Sequence, residues 1–93
     1  MEDKFTLMYM WFVAVQLRIK AKLAPDEYLD SLAMHLSLYA ETCLELNKRK
    51  KAIKLYNQSL RAFERMDARH PGLYAENVKE IKEELAKILM PYE

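Results

Sequence analysis

The chain has 93 residues, 52% of them hydrophobic and 31% charged, with a net charge of +1. That length makes a single domain, and that apolar fraction excludes an intrinsically disordered chain. One glycine and three prolines leave too little turn chemistry for a β-protein, so an all-α fold is expected.

The first helix is predicted from about Asp3 to Leu23, with Pro25 ending it. It holds the apolar run "FTLMYMWFVAV", residues 5–15, which is shorter than the roughly 20 residues that span a bilayer. A secretory signal carries positive charge before its apolar run. Here Glu2 and Asp3 precede Lys4, while Arg18, Lys20 and Lys22 follow. Both features argue against a membrane partner. The apolar residues of this segment point in all directions, so the helix is expected to be buried on most sides, or to expose one face to a partner. Met8, Trp11, Phe12 and Val15 are the candidates for self-association into a homo-oligomer.

The second helix is predicted over about 26–46. Pro25 suits its first position, and Asp26 and Glu27 meet the positive end of the helix dipole. Its apolar stripe is Leu29, Leu32, Leu36, Tyr39, Ala40, Cys43 and Leu44. Cys43 is the only cysteine. An intrachain disulfide is therefore excluded, which implies a reducing, cytoplasmic setting. On that stripe Cys43 reads as a small core residue rather than a reactive thiol. Asn47 supplies the break, because Asn tolerates the left-handed conformation and can cap the next helix.

The third helix is predicted over about 48–69, with Ala52, Ile53, Tyr56, Leu60 and Phe63 facing inward. It opens on "NKRKK", residues 47–51, which reads as the solvated turn between two packed helices. The competing reading is a phosphate or nucleic-acid patch made by Lys48, Arg49, Lys50, Lys51 and Lys54, continued by Arg61, Arg65 and Arg69. A localisation signal is a further alternative. Aromatic residues for base stacking are missing from that basic side, since Tyr56 and Phe63 fall on the buried stripe.

"HPG", residues 70–72, is the last break, and a fourth helix is predicted from 72 to about 90. Pro71 opens it, Pro91 closes it, and Val78, Ile81, Leu85, Ile88 and Leu89 form its stripe. Short connections make consecutive helices antiparallel neighbours. Charge alternates along the chain. Residues 25–46 carry five acidic and no basic side chains, and residues 47–70 carry eight basic and two acidic ones. Such blocks suit antiparallel helices that neutralise one another.

Chemistry finds no foothold. His35 and His70 have no third ligand at metal spacing, and the chain holds no Gly-rich phosphate loop and no nucleophile elbow. A non-enzymatic protein that needs no cofactor is expected.

Residues 37–63, "SLYAETCLELNKRKKAIKLYNQSLRAF", resemble a tetratricopeptide repeat. The first-helix positions of that pattern fall on Leu36, Tyr39, Ala40 and Cys43, and the second-helix positions on Ala52, Tyr56 and Ser59. The small residues let the helix backbones approach, and the aromatic fills the space above them. Asn47 replaces the usual turn glycine, and the long third helix ending in His-Pro resembles the extended repeats of kinesin light chains. One repeat cannot bury its own faces. The resemblance therefore implies four antiparallel helices, a single hairpin over about residues 33–64 flanked by one helix on each side. Lys82 falls where the next repeat would carry a small residue, so the fourth helix reads as a polar-backed cap.

The resemblance also implies a function. Such arrays line a concave groove with the first helix of each repeat, which here carries over to Met34, Ser37, Leu38, Glu41, Leu44 and Glu45. Chaperone-binding members clamp a C-terminal carboxylate at these positions. Glu41 would repel one, so the groove suits a protein or peptide partner shaped as an amphipathic helix with basic flanks. The competing expectation is that the first helix covers these residues. The function implied is that of an adaptor, a small chaperone or a subunit of an assembly. A self-associating structural module and a binder of nucleic acid through the third helix are the alternatives.

Overall fold

The computed structural model of the protein describes residues 2–89, and every regular element among them is an α-helix: α1 (Glu2–Leu23), α2 (Pro25–Glu45), α3 (Arg49–Arg69) and α4 (Ala75–Leu89). The expected end of the fourth helix, at residue 90, lies outside the described residues.

Each joint has a local cause. Ala24 alone separates α1 from α2. Its extended backbone leads into Pro25 at the start of α2, and its carbonyl accepts from the Glu27 and Tyr28 amides, both at 3.1 Å. At the far end of α2, Asn47 takes a left-handed φ of 63°. The Lys48 amide then reaches back to the Cys43 carbonyl at 2.7 Å, and the Asn47 amide to Leu44 at 3.1 Å. This paired closure satisfies carbonyls that the helix end leaves open. Asn47 does not cap α3; Lys48 holds that position, with no side-chain cap.

The third joint differs from expectation. Pro71 does not open α4, which begins at Ala75. Gly72 sits at φ 87°, a left-handed backbone that an α-helix cannot contain, so the helix must begin after it. The Asp67 carboxylate, from the last turns of α3, accepts from the Gly72 and Tyr74 amides, each at 3.1 Å. Tyr74 then packs its ring on Phe63, with centroids 6.0 Å apart.

Contacts fix the register. Lys20 lies over the Tyr28 ring and His35 bonds the Met10 carbonyl, so α1 and α2 run antiparallel. Ser59 meets Ala33 and Arg69 pairs with Asp26, so α2 and α3 do the same. Arg49 donates to the Ile88 carbonyl at one end of α3, while Phe63 meets Tyr74 towards the other, which makes α3 and α4 antiparallel. Each helix packs chiefly on its neighbours in the chain. The extents are 38 × 33 × 14 Å. The shortest is less than half of either of the other two, so the four helices form a thin, flat array.

An array so thin depends on close approach between helices. Ala14 and Ala21 on α1, Ala33 and Ala40 on α2, and Ala52 and Ser59 on α3 are all buried. In each pair the residues stand two turns apart on one face. The small side chains let neighbouring backbones come together while Leu36, Tyr39, Tyr56 and Phe63 fill the space between. The Ser59 hydroxyl is satisfied by donating to the Ala33 carbonyl at 2.7 Å.

Five inward assignments shift. The buried stripe of α3 also takes in Leu55, Ala62 and Met66, while Ile53 and Leu60 are only half-buried. Leu44 and Val78 are half-buried and Leu89 is exposed. The largest difference concerns α1, which is not buried on most sides. Seven of its large apolar side chains, Phe5 to Leu23, stand more than half exposed. In an array ordered as the chain runs, α1 is an edge helix with one main neighbour. Arg18 reaches past α2 to donate to Gln58 of α3.

Candidate partner-binding cleft

Because α2 and α4 both pack on α3, they stand apart across its inner face and leave a cleft between them. The cleft holds about 730 Å³, within the ~300–1,000 Å³ usual for binding sites. Met34, Ser37, Leu38, Glu41, Leu44 and Glu45 form one wall, from α2. Asn77, Glu80, Ile81, Glu83 and Glu84 of α4 form the other, and Tyr56 and Phe63 of α3 lie at the base. All six groove candidates therefore line one concavity, and α1 contributes nothing to it. Met34 and Leu38 are each more than half exposed, so the first helix does not cover this wall.

The electrostatics are one-sided. Five glutamates line the cleft, with no lysine or arginine among its residues. The alternating charge blocks thus do not simply cancel. Between helices, the described residues show one ion pair, Arg69 with Asp26, on the surface. Of the other acidic residues of α2 and α4, Glu41, Glu45, Glu80, Glu83 and Glu84 converge on the cleft, while Glu27, Asp30 and Glu76 lie outside it.

Tyr56 reports that field. Its side chain is buried and its hydroxyl has no hydrogen-bond partner among the described residues. Burial, then the charges of Glu41 and Glu84, push its phenol up from 10.0 to about 12. The hydroxyl stays protonated below that value. Above pH 10 the unfolded chain releases this proton while the folded chain keeps it, so stability falls with rising pH from about 10 to about 12. Urea unfolding across that window should show the decline, and Tyr56→Phe should flatten its part of it.

The basic candidates go elsewhere. Arg49 is engaged with the Ile88 carbonyl, and Lys51 sits 5.3 Å from the centroid of the Tyr39 ring. Lys48, Lys50 and Lys54 are exposed. Lys50, Lys54, Arg61 and Arg65 share the side of α3 turned away from its buried stripe, so the "NKRKK" run is part turn and part outer face. His35 is half-buried and donates from Nε2 to the Met10 carbonyl at 2.8 Å. Cys43 is fully buried and its thiol is pushed up by that burial, against the lowering charges of Lys51 and Lys48. Among the described residues no group of His, Cys, Asp and Glu could hold a metal ion, and no helix is long and apolar enough to cross a membrane.

The cleft's far wall is what sequence reasoning missed. The signal was present in the acidic side chains of α4, Glu80, Glu83 and Glu84, but only the packing of α4 on α3 turns them toward α2. No protein-family model matches the chain, and no curated protein or solved structure matches it.

Proposed function

We propose that this chain is a non-enzymatic protein-interaction module, built on a tetratricopeptide-like hairpin, that receives an amphipathic helix with basic flanks between α2 and α4. One observation carries the reading. The six positions carried over from the repeat resemblance lie together in a cleft with an apolar base and an acidic rim. Met34 and Leu38, with the half-buried Leu44 beside them, offer apolar area to one face of a helix, and burial of that area supplies affinity. Glu41, Glu45, Glu80, Glu83 and Glu84 select lysine or arginine at its flanks and repel acidic ones. On this reading the chain serves as an adaptor, a small chaperone or a subunit of an assembly.

The probe is a synthetic helix with leucines at i, i+3, i+4 and i+7 and lysines at both ends. Fluorescence anisotropy should show saturable binding that weakens as salt is added. The same helix with glutamate ends should not bind. Equal binding of the two peptides, or of neither, would sink the proposal.

A further inference from the structure

α1 carries two apolar faces. Leu7, Met10, Ala14, Leu17 and Ala21 belong to the core or pack against it. About 170° around the helix, at 100° per residue, runs a second stripe of Phe5, Met8, Phe12, Val15, Ile19 and Leu23. Val15 is half-buried; the other five, and Tyr9 and Trp11 beside them, are more than half exposed. Their combined exposed area is roughly 800 Å², taking ~150–250 Å² for each large side chain. The largest apolar patch of an ordinary monomer is ~300–600 Å², whereas a stable interface buries ~800 Å² from each partner.

We infer that this face pairs with the same face of a second copy, antiparallel, across a two-fold axis. A two-fold interface must be complementary to itself, and the stripe reads alike in both directions. With Phe12 set opposite Val15, Met8 falls opposite Ile19 and Phe5 falls beside Leu23. The charges agree. The sequence of α1 opens on Glu2, Asp3 and Lys4, net −1, and its last six residues carry Arg18, Lys20 and Lys22, net +3. An antiparallel pair brings unlike ends and opposed helix dipoles together; a parallel pair brings like ends together. No α1 residue lines the α2–α4 cleft, so a dimer presents two open clefts, and a partner with two recognition helices gains avidity.

The test starts with light scattering of the unmodified chain, which should give twice the 11.1 kDa of one copy. Phe12→Glu should weaken the dimer ~100-fold or more, by burying charge at its centre, with helicity by circular dichroism unchanged. Orientation follows from oxidative cross-linking in a Cys43→Ala background. Phe12→Cys mixed with Val15→Cys should cross-link, as should Met8→Cys mixed with Ile19→Cys. Met8→Cys alone should not, because its two copies lie eleven residues out of register, about 16 Å apart. A monomer at every concentration, a Met8→Cys homodimer, or a dimer in which neither mixed pair cross-links would each overturn the inference.

Discussion

Replacing Tyr39 with alanine is expected to lower the stability of the fold by about 3–5 kcal/mol, and replacing it with phenylalanine to leave stability unchanged or raised. Tyr39 is among the largest fully buried side chains. Its ring is bordered by Lys51, whose Nζ lies 5.3 Å from the ring centroid, and by His35, at 6.2 Å between centroids. Removing it leaves a cavity that the surrounding helices fill only in part. A chain of this length has roughly 5–14 kcal/mol of stability in total, so the alanine variant loses much of it. The phenylalanine variant keeps the ring and removes a buried hydroxyl that has no hydrogen-bond partner among the described residues. Urea denaturation measures both. A phenylalanine variant as damaged as the alanine one would mean that the hydroxyl, not the ring, holds the site.

The second large effect is on binding. Glu41 and Glu84 face each other across the cleft, one from each wall, and both raise the Tyr56 phenol. Reversing both to lysine changes the local charge by about four units, and each lost charge-assisted contact is worth ~1–3 kcal/mol. The double variant should bind the lysine-ended helix ~100-fold or more weakly and gain affinity for the glutamate-ended one. Folding should change little. Glu41 is exposed, and the Glu84–Lys87 pair at 3.4 Å lies at the surface, where such pairs contribute little. Burial does most to hold the Tyr56 phenol up and the two carboxylates add to it, so its titration should also move part of the way down in this variant. That readout checks the geometry without a ligand. Unchanged peptide preference would show that binding, if it occurs, is elsewhere.

The helices themselves were legible because their signals are local. Pro25 and Asn47 mark two of the joints in the primary structure, and three- and four-residue spacing marks Leu29 to Cys43 as one face. The start of α4 was not legible. Pro71 is compatible with a helix start, and it is the left-handed Gly72, held by the Asp67 carboxylate, that postpones the helix to Ala75. Burial on α3 was only half legible. Leu55, Ala62 and Met66 face inward because α3 touches helices on two sides, which widens its buried arc beyond the stripe that one neighbour would need. The placement of α1 was the hardest to read. A helix apolar all round can be central or at an edge with an uncovered face, and the choice depends on the order of packing, which no local pattern encodes.

The candidate site divides in the same way. The α2 wall, from Met34 to Glu45, came from one helix and a resemblance in spacing. The α4 wall and the depth of Tyr56 between them depend on three helices meeting, a tertiary fact.

The most direct measurement is the mapping of backbone amide shifts by NMR as the lysine-ended helix is titrated into the protein. Binding in the cleft predicts shifts concentrated along α2 from Met34 to Glu45 and along α4 from Asn77 to Glu84, with Tyr56 and Phe63 between them. Shifts centred on Phe5 to Leu23 of α1, or on Lys50, Lys54, Arg61 and Arg65 of α3, would contradict it, as would a titration that moves no amide at all.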